Sequence, residues 1–353
     1  MKNNKRRSAA AVESILDLIE MKFGVAKEIE KEVDFFHMSI FYVNVLQHFF
    51  YDAKPTKRGW KIIDDNIEYF IERDCNLVLM SDHGIARISA IFYVNKWLLE
   101  KGFLRIRSEA GGNLGISSFV ESLRSAAGRL ELIGILSKLM PESLKKRVAG
   151  PSLLDLVDWE KSLAIATGQG SIYLTVDEAH PDYEKNRNLV IDELRLLKNP
   201  ISGNNVAKAV YRKEEIYHGD FLSLAPDIVF DQADDIYAVS ALHPKSVFSP
   251  PKAWDAENIR NGIFLAYGEG ILRGNKLRTI SIVDIAPTIL HWLGIPIPED
   301  MDGEVILDIF SEDSHLRNRG IEYQKAINVI YKGYSMGYDE EMAQRLRGLG
   351  YLA

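Results

Sequence analysis

Cysteine is nearly absent from this chain. Cys75 is the only one in 353 residues, so no internal disulfide can form, and a reduced, cytoplasmic setting is the expected one. Long apolar runs are missing too. The richest, residues 38–45, is interrupted by Ser39 and Asn44 and falls far short of the ~20 residues that cross a bilayer, which argues against a membrane protein. The basic start, residues 2–7, is not followed by an apolar stretch, so no secretory signal is read there. Positive charge is not in excess. The 43 Lys and Arg stand against 50 Asp and Glu, a net charge of −7, whereas duplex nucleic acid needs a basic face that displaces counterions. Internal repeats and low-complexity tracts are lacking as well. What remains is a globular mixture, 46% hydrophobic and 26% charged, of a length that fits one or two domains.

Strand-like and helix-like segments alternate along the chain, the pattern of an α/β fold. Apolar periodicity predicts helices over 11–29, 60–73, 183–197 and 285–293. Strands are expected over 76–80, 171–174, 206–211, 227–230 and 262–266, and a buried strand running into a helix over 34–45. Two stretches break the alternation. Residues 111–115 are glycine-rich and 117–146 then reads as helix, so 111–150 is taken as a helical cap inserted into one domain that spans 1–353. Residues 231–261 are polar and carry Pro244, Pro250 and Pro251, and are expected to form a long loop returning towards a sheet edge.

The sharpest chemical feature is Ser81-Asp82-His83-Gly84, directly after an expected strand. Ligand sites in α/β sheets lie beyond the carboxyl ends of strands. A carboxylate beside an imidazole offers a hard oxygen and a borderline nitrogen, both acceptable to zinc. Gly84 is expected to turn the backbone sharply so that both side chains face one point. The plainer reading makes Asp82 the cap of a following helix and His83 a polar turn residue. Asn44 and His48, four apart, share one face of a helix. His48 also opens an aromatic run, His48-Phe49-Phe50-Tyr51, which fits a packed side chain equally well. The stretch from Gly262 to Gly270 matches neither a P-loop nor a dinucleotide fingerprint and reads as a strand followed by a glycine turn. Asp284 fits a helix N-cap, with Pro287 in the first turn. His37, His180, His218, His243, His291 and His315 lack partners at metal spacing, and His291 lies on an apolar helix face as a core-lining residue. There is no G-x-S-x-G, and Cys75, ahead of a buried strand, reads as an inert core thiol.

Taken in order, the pieces form a longer pattern. It runs through Asp34-Phe35-Phe36, then Asn44 to His48, Leu77 to Gly84, Asn95-Lys96-Trp97 with Gly102, and Val157-Asp158-Trp159. It continues with Ala225-Pro226-Asp227, Asp284 to Leu290, Met301-Asp302-Gly303 and a closing stretch at 345–352. This succession resembles the alkaline phosphatase superfamily in its type I phosphodiesterase/nucleotide pyrophosphatase branch, in the prokaryotic, often archaeal, form. The resemblance implies a three-layer α/β sandwich, a mostly parallel sheet with helices on both faces. It also implies two zinc-type ions side by side, which bind the phosphate, activate a Thr or Ser nucleophile and steady the leaving oxygen. His48 matches a ligand of one ion; Asp82 and His83 match ligands of the other. Asn44 stands where the branch has a ligand Asp, and Asn258 where it has a late ligand His. The nucleophile-bearing part would precede the first residue, so no catalytic residue is assigned. The edge this leaves would be covered by residues 9–31 or by a partner chain supplying the N-terminal half. The expected function is a metal-dependent phosphoester hydrolase by descent, acting on a phosphoester or nucleotide-like small molecule. It is expected to hold at most one ion and to be impaired or inactive as this chain alone. The alternative is a non-catalytic binding or scaffold module of the same fold.

Overall fold

The computed structural model describes residues 2–107, 156–242, 245–251 and 254–326. The expected cap at 111–150, the closing stretch at 345–352, and His243 with Pro244 lie outside the described residues. The chain divides into two compact units, one of residues 1–69 and 83–263, the other of 70–82 and 264–353.

The first unit opens with helices. These are α1 (Lys2–Ile29), α2 (Phe41–Phe49) and α3 (Lys54–Ile71), the last two residues of α3 falling in the other unit. Val12, Leu16, Ile19, Phe23 and Ala26 recur every three or four residues along α1 and are all buried, the stripe that makes a surface helix pack. Thr56 Oγ1 donates to the carbonyls of Leu46 (3.0 Å) and Phe50 (2.7 Å), which also accept from the Phe50 and Ala53 amides, so the start of α3 is tied to the end of α2. Residues 34–40 depart from expectation, being irregular rather than a buried strand, with Phe35 55% and Phe36 37% exposed. A strand needs a neighbour for its backbone groups, and none among the described residues pairs with this segment; Lys22 Nζ instead donates to the Ser39 carbonyl at 2.8 Å.

The same unit continues with β2 (Gly84–Arg87), β3 (Ala90–Tyr93), α4 (Val94–Lys101), β4 (Ala164–Ala166), β5 (Ser171–Leu174) and α5 (Tyr183–Leu196). Then come β6 (Ala207–Arg212), α6 (Lys213–Ile216), β7 (Ile228–Gln232), β8 (Ile236–Val239), β9 (Phe248–Ser249) and β10 (Ala256–Ile259). Among the described residues these strands form three sheets, ordered β4-β5-β7-β6, β8-β3-β9 and β10-β2. Phe92, Trp97, Leu98, Ile172, Leu194, Ile228 and Ile236 belong to the core shared by the first two of these sheets and helices α4 and α5. Asn95, fully buried on α4, donates to the carbonyls of Ala166 (2.7 Å) and Ser240 (2.5 Å) and accepts from the Ala166 amide (2.8 Å). Its motif position is thus explained by the tie it makes between α4 and β4.

Two expectations are corrected here. The mixed α/β character holds, but the described strands pair mainly antiparallel; only β3 with β8 and, in the other unit, the short pair described next run parallel. Of the antiparallel pairs, β4 and β5 close through a tight turn, which this pairing allows, whereas β1 with β11, β2 with β10, β3 with β9 and β5 with β7 join strands far apart in sequence. The turn from β4 to β5 ends at Gly170, whose φ of 75° suits glycine and whose Cβ, if present, would lie 2.4 Å from the Phe230 carbonyl oxygen. Residues 231–261 are not one long loop either, because they carry β8, β9 and β10. Ile236 and Ala238 alternate inward along β8, while Pro250 and Pro251 sit just past the two-residue β9, outside any ladder.

In the second unit, β1 (Leu77–Met80) pairs antiparallel with β11 (Phe264–Tyr267). Helices α7 (Ile285–Leu293) and α8 (His315–Asn318) and the parallel pair β12 (Ile297–Pro298) and β13 (Tyr323–Gln324) complete it around Ile309, Phe310 and Leu316. Asp284 does not cap α7 with its side chain. Its carboxylate accepts instead from the amides of Ser281 and Glu304, each at 3.0 Å. Cys75 is half-buried, not a core thiol. His291 is buried as expected, its Nε2 2.7 Å from the Leu316 carbonyl oxygen.

Candidate functional site

The last turn of α2 carries His48, 6% exposed. Its Nδ1 lies 2.8 Å from the Ala256 carbonyl oxygen. A carbonyl can only accept, so Nδ1 carries the hydrogen and Nε2 is the basic nitrogen, the tautomer that a metal-ligating or acid–base imidazole presents. The Asp255 amide donates to the His48 carbonyl at 2.6 Å, and the imidazole stacks on Trp254 with centroids 4.2 Å apart and planes at 24°. Trp254 donates through Nε1 to Glu257 Oε2 at 2.7 Å, while Glu257 Oε1 accepts from the Asn258 amide at 3.0 Å. Tyr237 stacks on Trp254 at 5.9 Å, and Phe49 meets it edge-on at 5.0 Å. Burial, reinforced by the charge of Glu257, holds the Tyr237 hydroxyl above its ordinary pKa.

Asn44 sits one turn before His48 and is half-buried. Asn258 is exposed on β10, paired with Ile85 of β2. His83 immediately precedes β2, and its Nδ1 lies 2.8 Å from the Gly84 carbonyl oxygen. The first unit therefore places Asn44, His48, His83 and Asn258 on α2, β10 and the start of β2, with α2 packed on β10 and β10 paired to β2. Asp82 belongs to the second unit, where it is exposed just past β1. Gly84 has a different purpose from the sharp turn expected. It opens β2 in extended backbone, and a Cβ there would stand 2.0 Å from the Asn261 carbonyl oxygen. A strand, not a helix, follows His83, so Asp82 has no helix to cap.

The donor set does not fit a resident zinc-type pair. Among the described residues, no three His, Cys, Asp or Glu side chains gather in a group that could hold a metal ion. Amides such as Asn44 and Asn258 bring no charge to balance a divalent cation and are weak partners for zinc, which favours thiolate, imidazole and carboxylate.

A second polar cluster escaped the sequence reading. Lys213, 2% exposed, reaches Glu178 at 2.5 Å and Asp227 Oδ1 at 3.1 Å. Asp227 Oδ1 also accepts from the Tyr183 hydroxyl (2.7 Å) and Oδ2 from the Leu174 amide (2.7 Å). Arg187, buried one turn after Tyr183, holds Glu214 through Nη1 at 2.8 and 3.0 Å and also pairs with Glu184. Asp227 was visible only as part of a motif. Trp254 and Glu257 fall in the stretch read as a long loop, and their link to His48, far away in sequence, leaves no local signal.

The family model described as type I phosphodiesterase / nucleotide pyrophosphatase matches residues 3–258, well over half of the chain. The chain belongs to that family. The match takes in His48, Asp82, His83 and Asn258. The mixed α/β fold is consistent with the alkaline-phosphatase-like architecture of this family. Type I phosphodiesterases/nucleotide pyrophosphatases act on phosphoester or nucleotide substrates and generally depend on divalent metal ions. No curated protein and no solved structure matches the chain. Among the described residues, no helix is long and apolar enough to cross a membrane.

Proposed function

We propose that this chain is a phosphoester-directed member of the type I phosphodiesterase/nucleotide pyrophosphatase family that holds at most one divalent ion, loosely. By itself it turns substrate over negligibly. The observation that carries this is the composition of α2 and β10, two elements in contact. One imidazole, His48, is held with Nε2 as its basic nitrogen, while the neighbouring positions on helix and strand are the neutral amides Asn44 and Asn258. Without carboxylates a divalent ion keeps little of its binding free energy. Asp82 and His83 are retained as proposed ligands on the strength of their motif. A phosphoester or nucleotide-like small molecule is the proposed ligand.

The test is metal content by mass spectrometry after equilibration with zinc or manganese, beside hydrolysis of bis-p-nitrophenyl phosphate. About one ion or fewer per chain, lost on His83→Ala, and hydrolysis at the buffer rate are expected. Two tightly held ions with steady turnover would overturn the proposal. A second reading, a non-catalytic binding or scaffold module, is favoured by the burial of His48 and its stacking on Trp254, which suit a packed side chain. Nucleoside monophosphate binding that weakens in His83→Ala supports the first reading; no binding by either form supports the second.

A further inference from the structure

We propose that Trp254 and Glu257 are positioning residues for His48, fixing the plane of its imidazole and keeping Nε2 as the basic nitrogen. This rests on the reading that His48 serves the phosphoester site. The argument starts from what a backbone acceptor can do alone. The Ala256 carbonyl takes the Nδ1 hydrogen, but the outer torsion of a histidine is broad, and one hydrogen bond leaves the ring free to swing about that contact. The plane is set by the indole of Trp254, stacked at 4.2 Å. An indole in turn needs its own orientation fixed. Tyr237 stacks on it, and the Nε1 hydrogen is taken by Glu257.

Glu257 is the informative residue. It is 3% exposed, and a buried carboxylate is unfavourable unless its oxygens are occupied by donors. Its two oxygens take the Trp254 Nε1 hydrogen and the Asn258 amide. A buried charge is thus devoted to orienting the ring that orients His48, and to fixing the backbone of Asn258. Trp254 and Ala256 therefore hold the imidazole through a ring stack and a backbone carbonyl, the Asp255 amide ties down the His48 backbone carbonyl, and Glu257 fixes Trp254 in place.

The experiment uses the full chain labelled with nitrogen-15 histidine. Long-range proton–nitrogen correlation reads the tautomer of each imidazole, and His48→Gln assigns the signal. The unaltered protein is expected to show His48 with Nδ1 protonated. Trp254→Ala and Glu257→Ala are expected to change the tautomer ratio about tenfold towards the Nε2-protonated form, the scale of one hydrogen bond lost. Carbethoxylation of His48 by diethylpyrocarbonate should accelerate in parallel. Glu257→Gln, which keeps an acceptor oxygen, should restore the original signal. Should Trp254→Ala not fold by circular dichroism, Trp254→Phe, which keeps a ring and loses the N–H, is read in its place with the same expectation. A variant that melts earlier yet keeps a single Nδ1-protonated His48 of unchanged reactivity would make the contact merely structural and overturn the proposal. No metal or substrate enters the measurement, so this failure is distinct from failure of the phosphoester reading, which metal content and hydrolysis report.

Discussion

Gly84 and Gly24 show how one residue type answers opposite demands. At Gly84 a side chain would meet the Asn261 carbonyl oxygen at 2.0 Å, so alanine forces backbone apart beside His83. Gly84→Ala is expected to destabilise by about 1–3 kcal/mol, the usual range for overpacking. Gly24 lies inside α1 with nothing within 4 Å of its missing Cβ. There alanine removes the entropy penalty of a helical glycine, and Gly24→Ala should stabilise by about 0.5–1 kcal/mol. Urea midpoints of the two variants should move in opposite directions; movement of both the same way would refute the close approach at Gly84. The same residue-scale reading applies to His48. Its helix neighbour Asn44 could be named from spacing, whereas its Nδ1 partner stands 208 positions away and leaves no local trace.

At the scale of elements, the Lys213–Asp227–Tyr183 cluster joins α6, the entry to β7, and the start of α5, with the Leu174 amide adding β5. Burial alone would lower the Lys213 pKa, but Glu178 and Asp227 outweigh it and hold it above its ordinary 10.5. Burial, then Asp227, pushes Tyr183 above its ordinary 10.0. Burial resists ionisation of Glu214, yet Arg187 prevails and holds that carboxyl below its ordinary value. The signs follow by linkage. The Lys213 contribution is complete below its unfolded value and is lost as pH rises through the raised folded one. Tyr183 acts in the same direction, since above pH ~10 only the unfolded phenol ionises freely. Glu214 contributes above its unfolded value and loses that contribution as pH falls through the depressed folded one. Urea midpoints should therefore hold level between, fall on the alkaline side from about pH 10, and fall on the acid side below about pH 4. Lys213→Met should soften the alkaline fall and Arg187→Met the acid one; unaltered profiles would count against the cluster. Elements with strong local periodicity were legible in advance, β5 and α7 residue for residue. Residues 34–40 and 231–261 were not, because whether a segment joins a sheet depends on partners far away in sequence. The same holds for the site: Asn44 and His48 are neighbours on a helix, but the Trp254 stack that orients His48 exists only in three dimensions.

For the molecule as a whole, the sheet ordered β4-β5-β7-β6, with α5 and α6, is drawn entirely from residues 164–232. The pair formed by β2 and β10 instead joins residues 84–87 to 256–259. Local pairings close sooner than distant ones, because the longer loop must surrender more entropy first. Pulse-labelled hydrogen exchange during refolding should protect Ile172 and Ile228 before Ile85 and Asn258, and the reverse order would defeat this account. On the ribosome the consequence is sharper. His48 leaves the exit tunnel early, yet Trp254 and Ala256, which hold its imidazole, are translated some two hundred codons later. The nascent chain thus carries a finished scaffold before it carries a finished site, and any truncation ahead of residue 254 would release the imidazole without its seat.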